Sequence, residues 1–357
     1  MALTRVQRII AQAALQAGEA ILLSKPSNIF YASGYTGEGL ALIADNLCAV
    51  VTDFRYTEQA QRQAPGFSVH EIKTGQPHNL VAYDLLKAAG IKAVRFEDDM
   101  VTVAGFRAMQ AAMPDMAFSP LNGAVEIVRQ IKDAAEIALI EQACAISDGA
   151  FKAILSELKE GMTEMDVRIA LEFKMLSLGA DGFAFDTIVA SGENGSLCHA
   201  IPGQRKLRRG DMITMDFGAK KGGYCADMTR TVALGQPPDE MKKIYGVVLL
   251  AQETAQGALR AGLKGDEGDK IARDIIDQAG YQGCFGHGLG HSLGIDIHES
   301  PRLSATCHDE MQENMLMTVE PGIYKAGLGG VRIENTVLIG REGARTLVHS
   351  PKELLIL

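Results

Sequence analysis

Residues 211–234, DMITMDFGAKKGGYCADMTRTVAL, alternate apolar and polar side chains on either side of two glycines. This pattern predicts a β-hairpin. If the strands pair symmetrically about Lys221 and Gly222, Asp216 and Asp227 become directly opposed partners on one face, with Cβ atoms roughly 5 Å apart. Two facing carboxylates repel, and a shared divalent cation relieves the repulsion where further ligands converge. An exposed hairpin that merely carries charge is the alternative.

A second informative stretch is FGHGLGHSLGIDIHESPRL at residues 285–303. It contains His287, His291 and His298, whereas the whole chain has eight histidines. The interspersed glycines disfavour a helix, so we expect a strand or loop that presents imidazoles to a cleft. A lone histidine is more often a satisfied core or surface residue, but a glycine-rich cluster of histidines favours a site.

Two glutamates extend the candidate set. Glu320 precedes a Pro-Gly turn in MLMTVEPGIY, and Glu334 lies in GGVRIENTVLIG, where strand alternation puts Arg332 on the same face. A simple ion pair between Arg332 and Glu334 is the plainer interpretation. Carboxylates with one imidazole suit Mn²⁺, Co²⁺, Fe²⁺ or Zn²⁺, and two such ions need several anionic ligands.

Composition argues against several other functions. Lys and Arg number 35 against 44 Asp and Glu, without a prominent basic run, so we expect neither nucleic acid nor a membrane surface as partner. The six cysteines form no CxxC pair, which argues against disulfides. Polar residues interrupt the first apolar stretch, and no run reaches the ~18 apolar residues of a membrane span. We therefore expect a cytoplasmic enzyme.

The length of 357 residues predicts a smaller N-terminal domain and a larger catalytic domain. We expect a first helix to about Leu23, short strands over residues 28–54 that include NIFYASGY, and then a strand–helix alternation ending near Val125. Thr163 and Asp166 form a predicted capping pair. Four longer helices are predicted at DAAEIALIEQACAISDGAFKAILSEL, TEMDVRIALEFKMLSLG, PDEMKKIYGVVLLAQETAQGAL and DKIARDIIDQAG.

The candidate ligands occur in the order Asp216, Asp227, His291, Glu320, Glu334, which resembles the metal-ligand order of the pita-bread metallopeptidases. Six spans are similar to the Xaa-Pro aminopeptidase and prolidase branch: DFGAKKGGYCADMTRT, GHGLGHSLGIDIHESPRL, TVEPGIY, VRIENTVLI and, for its creatinase-type N-terminal domain, NIFYASGYTGEG and AVVTDFRYTEQA. The resemblance covers nearly the whole chain. It implies an α/β (α+β) protein with a creatinase-type domain over residues 1–126 and a pita-bread catalytic domain over residues 127–357.

The resemblance also implies a metal centre. Two divalent ions per subunit, Mn²⁺ in the first place and otherwise Co²⁺, Zn²⁺ or Fe²⁺, would be held by the five ligands. Asp227 would chelate one ion and His291 would bind the other. The implied mechanism is attack by a metal-bridged hydroxide, with Glu320 as the group that takes the proton.

The resemblance also implies roles for the residues around the metal centre, each assigned by its position in the matching motif. His199, in SLCHAIPG, and His298 match family histidines that contact the substrate and support the tetrahedral intermediate. Arg332 matches an arginine that orients the ligands. His287 matches a histidine of the substrate pocket, and Arg302 resembles a position associated with the C-terminal end of the substrate.

The implied activity removes the N-terminal residue from peptides that have proline in second position. An Xaa-Pro dipeptidase is the first alternative, and the choice depends on whether an anchor such as Arg302 closes the cleft beyond the proline. Methionine aminopeptidase is disfavoured by the N-terminal domain, and creatinase by the intact ligand set. A catalytically inactive binding module is the non-enzyme alternative. We also expect a homodimer, and Cys198 and Cys225 to be packing residues.

Overall fold

The N-terminal unit extends to Arg129 and is built on one mixed sheet, in a computed structural model that describes residues 3–357. Its strands are β1 Glu19–Leu23, β2 Leu40–Ala44, β3 Leu47–Thr52, β4 Ser68–Glu71, β5 Ala93–Phe96 and β6 Ala117–Pro120. They are ordered β4-β3-β2-β1-β5-β6, with β2 antiparallel to both neighbours and the other pairs parallel. The accompanying helices are α1 Arg5–Gln12, α2 Pro26–Ser33, α3 Thr57–Gln63, α4 His78–Ala88, α5 Val103–Ala112 and α6 Ala124–Gln130.

Two predictions for the N-terminal segment are wrong. The helix expected to reach Leu23 ends at Gln12, and the apolar residues that follow form β1 in the middle of the sheet. The segment NIFYASGY, expected to be extended, lies largely in α2. Pro26 at the start of α2 and Gly34 at its C-cap, with a φ of 82°, set the ends of this helix. The predicted alternation from α3 to α5 is confirmed.

The C-terminal unit begins at Gln130 and contains the four predicted long helices. They are α7 Ala134–Ile154, α8 Glu164–Ser177, α9 Asp239–Ala258 and α10 Gly265–Ile276. The predicted capping pair is confirmed, because the Thr163 hydroxyl accepts from the Asp166 amide and the Asp166 carboxylate accepts from the Thr163 amide.

Short antiparallel strands make up the rest of this unit. They are β7 Gly182–Phe183, β8 Ile188–Ser191, β9 Met212–Phe217, β10 Ala219–Lys221, β11 Tyr224–Cys225, β12 Met228–Ala233, β13 Gly290–Ser292, β14 Glu299–Leu303, β15 Leu316–Val319, β16 Gly322–Lys325, β17 Gly329–Arg332, β18 Asn335–Ile339 and β19 Ala344–Thr346. They form the sheets β11-β10-β7, β12-β9-β8 and β14-β13-β15-β18-β19 and the pair β16-β17. Helix α7 lies against β10 and β11, α9 against β17, and α10 against β14. The strands thus carry the site residues and the helices support them from outside.

Within residues 3–357, no helix is both long enough and apolar enough to cross a lipid bilayer.

Candidate metal centre and its cleft

The hairpin from β9 to β12 positions the first two candidate ligands. Thr229 lies opposite Asp216, and the turn falls at Gly222 and Gly223, whose φ angles of 55° and 85° suit a tight two-residue turn. The predicted pairing of Asp216 with Asp227 is therefore wrong: the residue opposite Asp216 is two positions farther along the chain. The reason is that the turn is centred between Gly222 and Gly223, one residue later than the predicted turn at Lys221 and Gly222. A shift of two keeps both aspartates on one face, since side chains alternate along a strand.

Three carboxylates converge at this face. One oxygen each of Asp216, Asp227 and Glu334 lies within 4.8 Å of the others. Asp227 and Glu334 are only 5% and 1% exposed. Asp216 Oδ1, Asp227 Oδ1 and Glu334 Oε1 are buried without a hydrogen-bond partner anywhere in residues 3–357. Buried, unpaired anionic oxygens are unfavourable by themselves, so this arrangement fits divalent cations that take oxygen ligands.

Crowding of the carboxylates also changes their protonation. Burial, followed by the charges of Glu334 and Asp216, raises the pKa of Asp227 well above its ordinary value of 3.8. Burial and the charges of Glu320 and Asp216 likewise raise the pKa of Glu334. These carboxyl groups resist ionisation in each other's presence, and a bound cation would reverse that preference.

His291 in β13 adds an imidazole to the cluster. Its Nε2 lies 3.6 Å from Asp227 Oδ2 and 3.4 Å from Glu320 Oε1, while Nδ1 lies 3.0 Å from the Ser292 carbonyl oxygen. Because a carbonyl only accepts, the proton is on Nδ1 and the Nε2 lone pair faces the carboxylates. Burial lowers the pKa of His291 to about 4, so the ring is neutral near pH 7. A neutral ring held in this tautomer is suited to bind a metal ion.

Glu320 follows β15 at the edge of the cluster. Its Oε1 accepts from Thr318 Oγ1 at 3.0 Å, and the same hydroxyl accepts from the His291 amide at 3.0 Å. Burial raises the pKa of Glu320 to about 7. Thr318 thereby fixes the carboxylate relative to β13.

Arg332 is a buried guanidinium that orients two of the acidic residues. Its Nη2 donates to Asp216 Oδ2 at 2.6 Å, and its Nη1 donates to the Cys198 carbonyl at 3.2 Å. Its Nε donates to Thr229 Oγ1 at 3.0 Å, and that hydroxyl donates to Glu334 Oε2 at 2.7 Å. The ion pair of Arg332 is therefore with Asp216. The sequence also allowed a direct ion pair between Arg332 and Glu334. In the structure the Thr229 hydroxyl lies between them and is hydrogen-bonded to both.

Tyr324 in β16 is a site residue that the sequence did not single out. Its hydroxyl accepts from Arg332 Nη1 at 2.9 Å and lies 2.9 Å from His287 Nε2. His287 Nδ1 lies 2.8 Å from the Gly288 carbonyl oxygen, so Nδ1 carries the proton and Tyr324 donates to Nε2. Burial lowers the pKa of His287 to about 4, which keeps the ring neutral. Both ring nitrogens of His287 are thus hydrogen-bonded, and the ring forms part of the pocket wall.

A cleft of about 490 Å³ opens onto the cluster. It is lined by the five candidate ligands and by His199, His287, His298, Arg302, Arg332, Phe185, Ile188 and Ile297. The His298 ring meets the His291 ring edge-on, with centroids 4.5 Å apart. The Arg302 guanidinium makes no hydrogen bond or ion pair within residues 3–357. Every residue predicted from the sequence to belong to the site lines this cleft. The role of each residue stays a prediction.

Removing metal should make the stability of the protein depend on pH in an unusual direction. With the folded pKa of Glu320 near 7, against an ordinary value of 4.5, the folded protein binds more protons than the unfolded chain between these values. The free energy of unfolding then falls as pH rises, and we expect the Tm of chelator-treated protein to drop by about 5 °C between pH 5.5 and 7.5. Thermal denaturation measures this change.

Two comparisons make the pH measurement specific. Reconstitution with Mn²⁺ should abolish the dependence, because ligated carboxylates remain ionised. Glu320→Gln should reduce it in chelator-treated protein. A Tm of the stripped wild type that stays level or rises across this range would contradict the burial of protonated carboxyl groups at this site.

The fold and the cluster together define a class of protein, a two-domain metal-dependent hydrolase. A small α/β unit precedes a larger unit in which strands bring carboxylates and one imidazole to the floor of a cleft. This ligand chemistry suits two divalent ions that activate water.

Comparisons with known proteins identify the family. Metallopeptidase family M24 matches residues 138–341, and the creatinase/prolidase N-terminal domain matches residues 5–131. The chain is 42% identical to the uncharacterized peptidase YqhT of Bacillus subtilis, over the full length of both. The solved structure of an Xaa-Pro dipeptidase from Bacillus anthracis has a TM-score of 0.95 and 39% identity, covering 99% of each chain. That of an X-Pro aminopeptidase from Thermotoga maritima has a TM-score of 0.91 and 37% identity, covering 97% of this chain and 100% of the other. The chain therefore belongs to metallopeptidase family M24.

These matches confirm the predicted family and fold class. The chain is a metallo-exopeptidase of the prolidase and X-Pro aminopeptidase type, with a creatinase-type N-terminal domain and a pita-bread catalytic domain. Its family is one of dinuclear divalent-metal enzymes, in keeping with the acidic cluster.

Proposed function

We propose that this enzyme hydrolyses Xaa-Pro dipeptides with the aid of two divalent metal ions. The observation that carries the proposal is Arg302, whose guanidinium lines the same cleft as the carboxylates and has no ion-pair partner within residues 3–357. A guanidinium that no carboxylate of residues 3–357 contacts suits the terminal carboxylate of a short substrate. In a dipeptide that carboxylate directly follows the proline ring, whereas in a longer peptide it lies at least one residue farther away. The name of the Bacillus anthracis relative supports the same activity.

We assign the metal ions to Asp216, Asp227, His291, Glu320 and Glu334. The buried oxygens of Asp216, Asp227 and Glu334 that have no hydrogen-bond partner in residues 3–357 support this assignment, as does the inward lone pair of His291. When bound, such ions supply an acidified water and a Lewis acid for the scissile carbonyl. Mn²⁺ is the ion expected from the family resemblance, followed by Co²⁺, Zn²⁺ and Fe²⁺.

Glu320 is our candidate for proton transfer. Thr318 holds one of its oxygens, and 16% of its side chain remains exposed, so the carboxylate is both oriented and accessible. A group in this position can take the proton of the attacking water and deliver it to the proline nitrogen as the peptide bond breaks.

His199 and His298 are our candidate donors to the scissile carbonyl oxygen. Both line the cleft, and His298 lies beside His291. An oriented donor at a developing oxyanion is typically worth about 3 kcal/mol in the barrier. The apolar side chains of Phe185, Ile188 and Ile297 offer a surface for the proline ring, which lacks an N–H and is therefore selected by shape.

The second candidate is the Xaa-Pro aminopeptidase activity that the sequence predicts. The relative from Thermotoga maritima, named an X-Pro aminopeptidase, favours it. The two activities differ in whether a tripeptide is cleaved after its first residue. The expected homodimer and cytoplasmic location stay predictions.

Replacing Arg302 by Met tests the choice between them. We expect KM for an Xaa-Pro dipeptide to rise roughly 10- to 100-fold, with kcat and metal content unchanged, because a charge-assisted hydrogen bond to the substrate is lost. Steady-state kinetics on an Xaa-Pro dipeptide and an Xaa-Pro-Yaa tripeptide, in Mn²⁺-reconstituted protein, provide the measurement. Arg302→Lys keeps the charge and should retain part of the affinity.

Two outcomes would contradict the dipeptidase proposal. Efficient release of the first residue from the tripeptide, with a dipeptide KM that is insensitive to Arg302→Met, would establish the aminopeptidase instead. Failure to cleave either peptide with Mn²⁺, Co²⁺ or Zn²⁺ would overturn both activities.

A further inference from the structure

His199 is carried by a segment that begins with a short 3₁₀ helix, Gly192–Ser196. No strand lies between Ser191 at the end of β8 and Met212 at the start of β9. Among the apolar residues near His199, Ala200 and Pro202 are buried, whereas Leu197 and Ile201 are 60% and 86% exposed. Apolar packing thus anchors only part of this loop, residues 192–203, and its polar contacts also fix the position of the imidazole.

Glu164 makes those contacts. It is the first residue of α8 and is 1% exposed. Its Oε1 accepts from the amide and the hydroxyl of Ser191, both at 2.8 Å, and from Asn194 Nδ2 at 3.1 Å. Its Oε2 accepts from Asn194 Nδ2 at 3.2 Å and from the Gly203 amide at 3.3 Å. One buried carboxylate thus fixes the loop both before and after His199.

The same loop contacts the metal centre. The carbonyl of Cys198, directly before His199, accepts from Arg332 Nη1. Gly195 approaches Gly330 of β17 so closely that a Cβ at Gly195 would lie 2.9 Å from the Gly330 amide nitrogen. A displaced loop would therefore also disturb the arginine that orients the acidic ligands.

We propose that Glu164 is a positioning residue that sets the place of His199 in the cleft. A carboxylate suits this position because every group that faces it is a donor, whereas the amide end of a glutamine would direct N–H groups at other N–H groups. Glu164 itself does not line the cleft within residues 3–357. The inference rests on the proposed function only for the role of His199 as a substrate contact.

A double-mutant cycle tests the proposal. Glu164→Gln should lower kcat for the Xaa-Pro dipeptide roughly 10- to 100-fold at unchanged metal content, which is no more than the loss that follows complete removal of an oxyanion donor. If Glu164 acts through His199, the double variant with His199→Ala should have the kcat of His199→Ala alone. Losses that multiply would overturn the proposal.

Asp148→Asn is the matched control for this cycle. Asp148 also caps a loop, since it accepts from the amides of His349 and Ser350 and from the Ser350 hydroxyl. Its substitution should lower Tm without changing kcat. A fall in kcat as large as that of Glu164→Gln would show a general effect of lost stability and would overturn the specific role.

Hydrogen–deuterium exchange provides a readout that needs no substrate. In Glu164→Gln, amides of residues 192–203 should exchange at least ~10-fold faster while those around Ser350 stay unchanged. Glu164→Asp keeps the charge, serves if the glutamine variant fails to fold, and should show an intermediate increase. Unchanged exchange in the loop would overturn the proposal. If the wild type cleaves neither peptide, the proposed function fails, but the exchange result still decides the role of Glu164.

Discussion

Asp227→Asn is expected to lower kcat/KM for an Xaa-Pro dipeptide by more than about 1,000-fold. Asp227 Oδ2 lies near His291 Nε2, while Oδ1 is buried without a hydrogen-bond partner among residues 3–357, so both oxygens are available to cations. Asparagine keeps the shape but removes the negative charge and replaces one oxygen by an N–H donor. Metal analysis of purified protein beside kinetics with Mn²⁺ measures the loss.

The same substitution should have the opposite effect on metal-stripped protein. There burial, together with the charges of Glu334 and Asp216, opposes ionisation of Asp227, and a side chain that is always neutral avoids that cost. We expect the Tm of chelator-treated Asp227→Asn to exceed that of chelator-treated wild type by a few degrees, roughly 1 kcal/mol in the free energy of unfolding. Asp239→Asn, at a side chain that is 99% exposed, is the control and should change nothing. Retention of metal with wild-type turnover would remove Asp227 from the ligand set.

Arg332→Lys is the second substitution with a large expected effect. The guanidinium donates at once to Asp216, Cys198, Thr229 and Tyr324, and an ammonium cannot reproduce that planar set of donors. We expect metal affinity to fall roughly 10- to 100-fold and kcat/KM by at least ~100-fold, since the orienting contacts of two ligands are lost together. Metal titration and kinetics at saturating Mn²⁺ separate the two effects.

A matched arginine elsewhere provides the control. Arg95 in the N-terminal unit pairs with Glu19 through Nε and Nη2, at 3.1 and 2.7 Å, and neither residue lines the cleft. Arg95→Lys should cost stability without lowering metal affinity. If Arg332→Lys binds metal as tightly as wild type, the proposed orienting role is incorrect.

Local patterns allowed much of the site to be predicted from the sequence. His291, Glu320 and Glu334 are each embedded in a short span whose glycines, proline or strand alternation mark the backbone around the ligand. The convergence of these spans came from the family resemblance, because a single sequence does not show which distant strands are neighbours. The exact pairing in the hairpin was missed since a shift of the turn by one residue moves every cross-strand partner by two.

The remaining errors have tertiary causes. The apolar run before Leu23 is compatible with a helix, but four of the five residues of β1 are buried between neighbouring strands, and sheet packing decides their conformation. Tyr324 and Glu164 were missed because their partners lie far away along the chain. Tyr324 meets His287 across 37 positions, and Glu164 meets Gly203 across 39. No local pattern records such pairs.

A protein engineer seeking a place to graft a peptide tag would normally choose an exposed hairpin turn. The turn at Gly222 and Gly223 is a poor choice despite the exposure of Gly222. Adding or deleting a single residue there would either move Asp227 to the opposite face of the hairpin or force a bulge beside it. A side chain at Gly222 would in addition meet Leu139 at 2.7 Å. Insertions are better directed to Gly75, which is exposed and where an added Cβ would meet no atom of residues 3–357 within 4 Å.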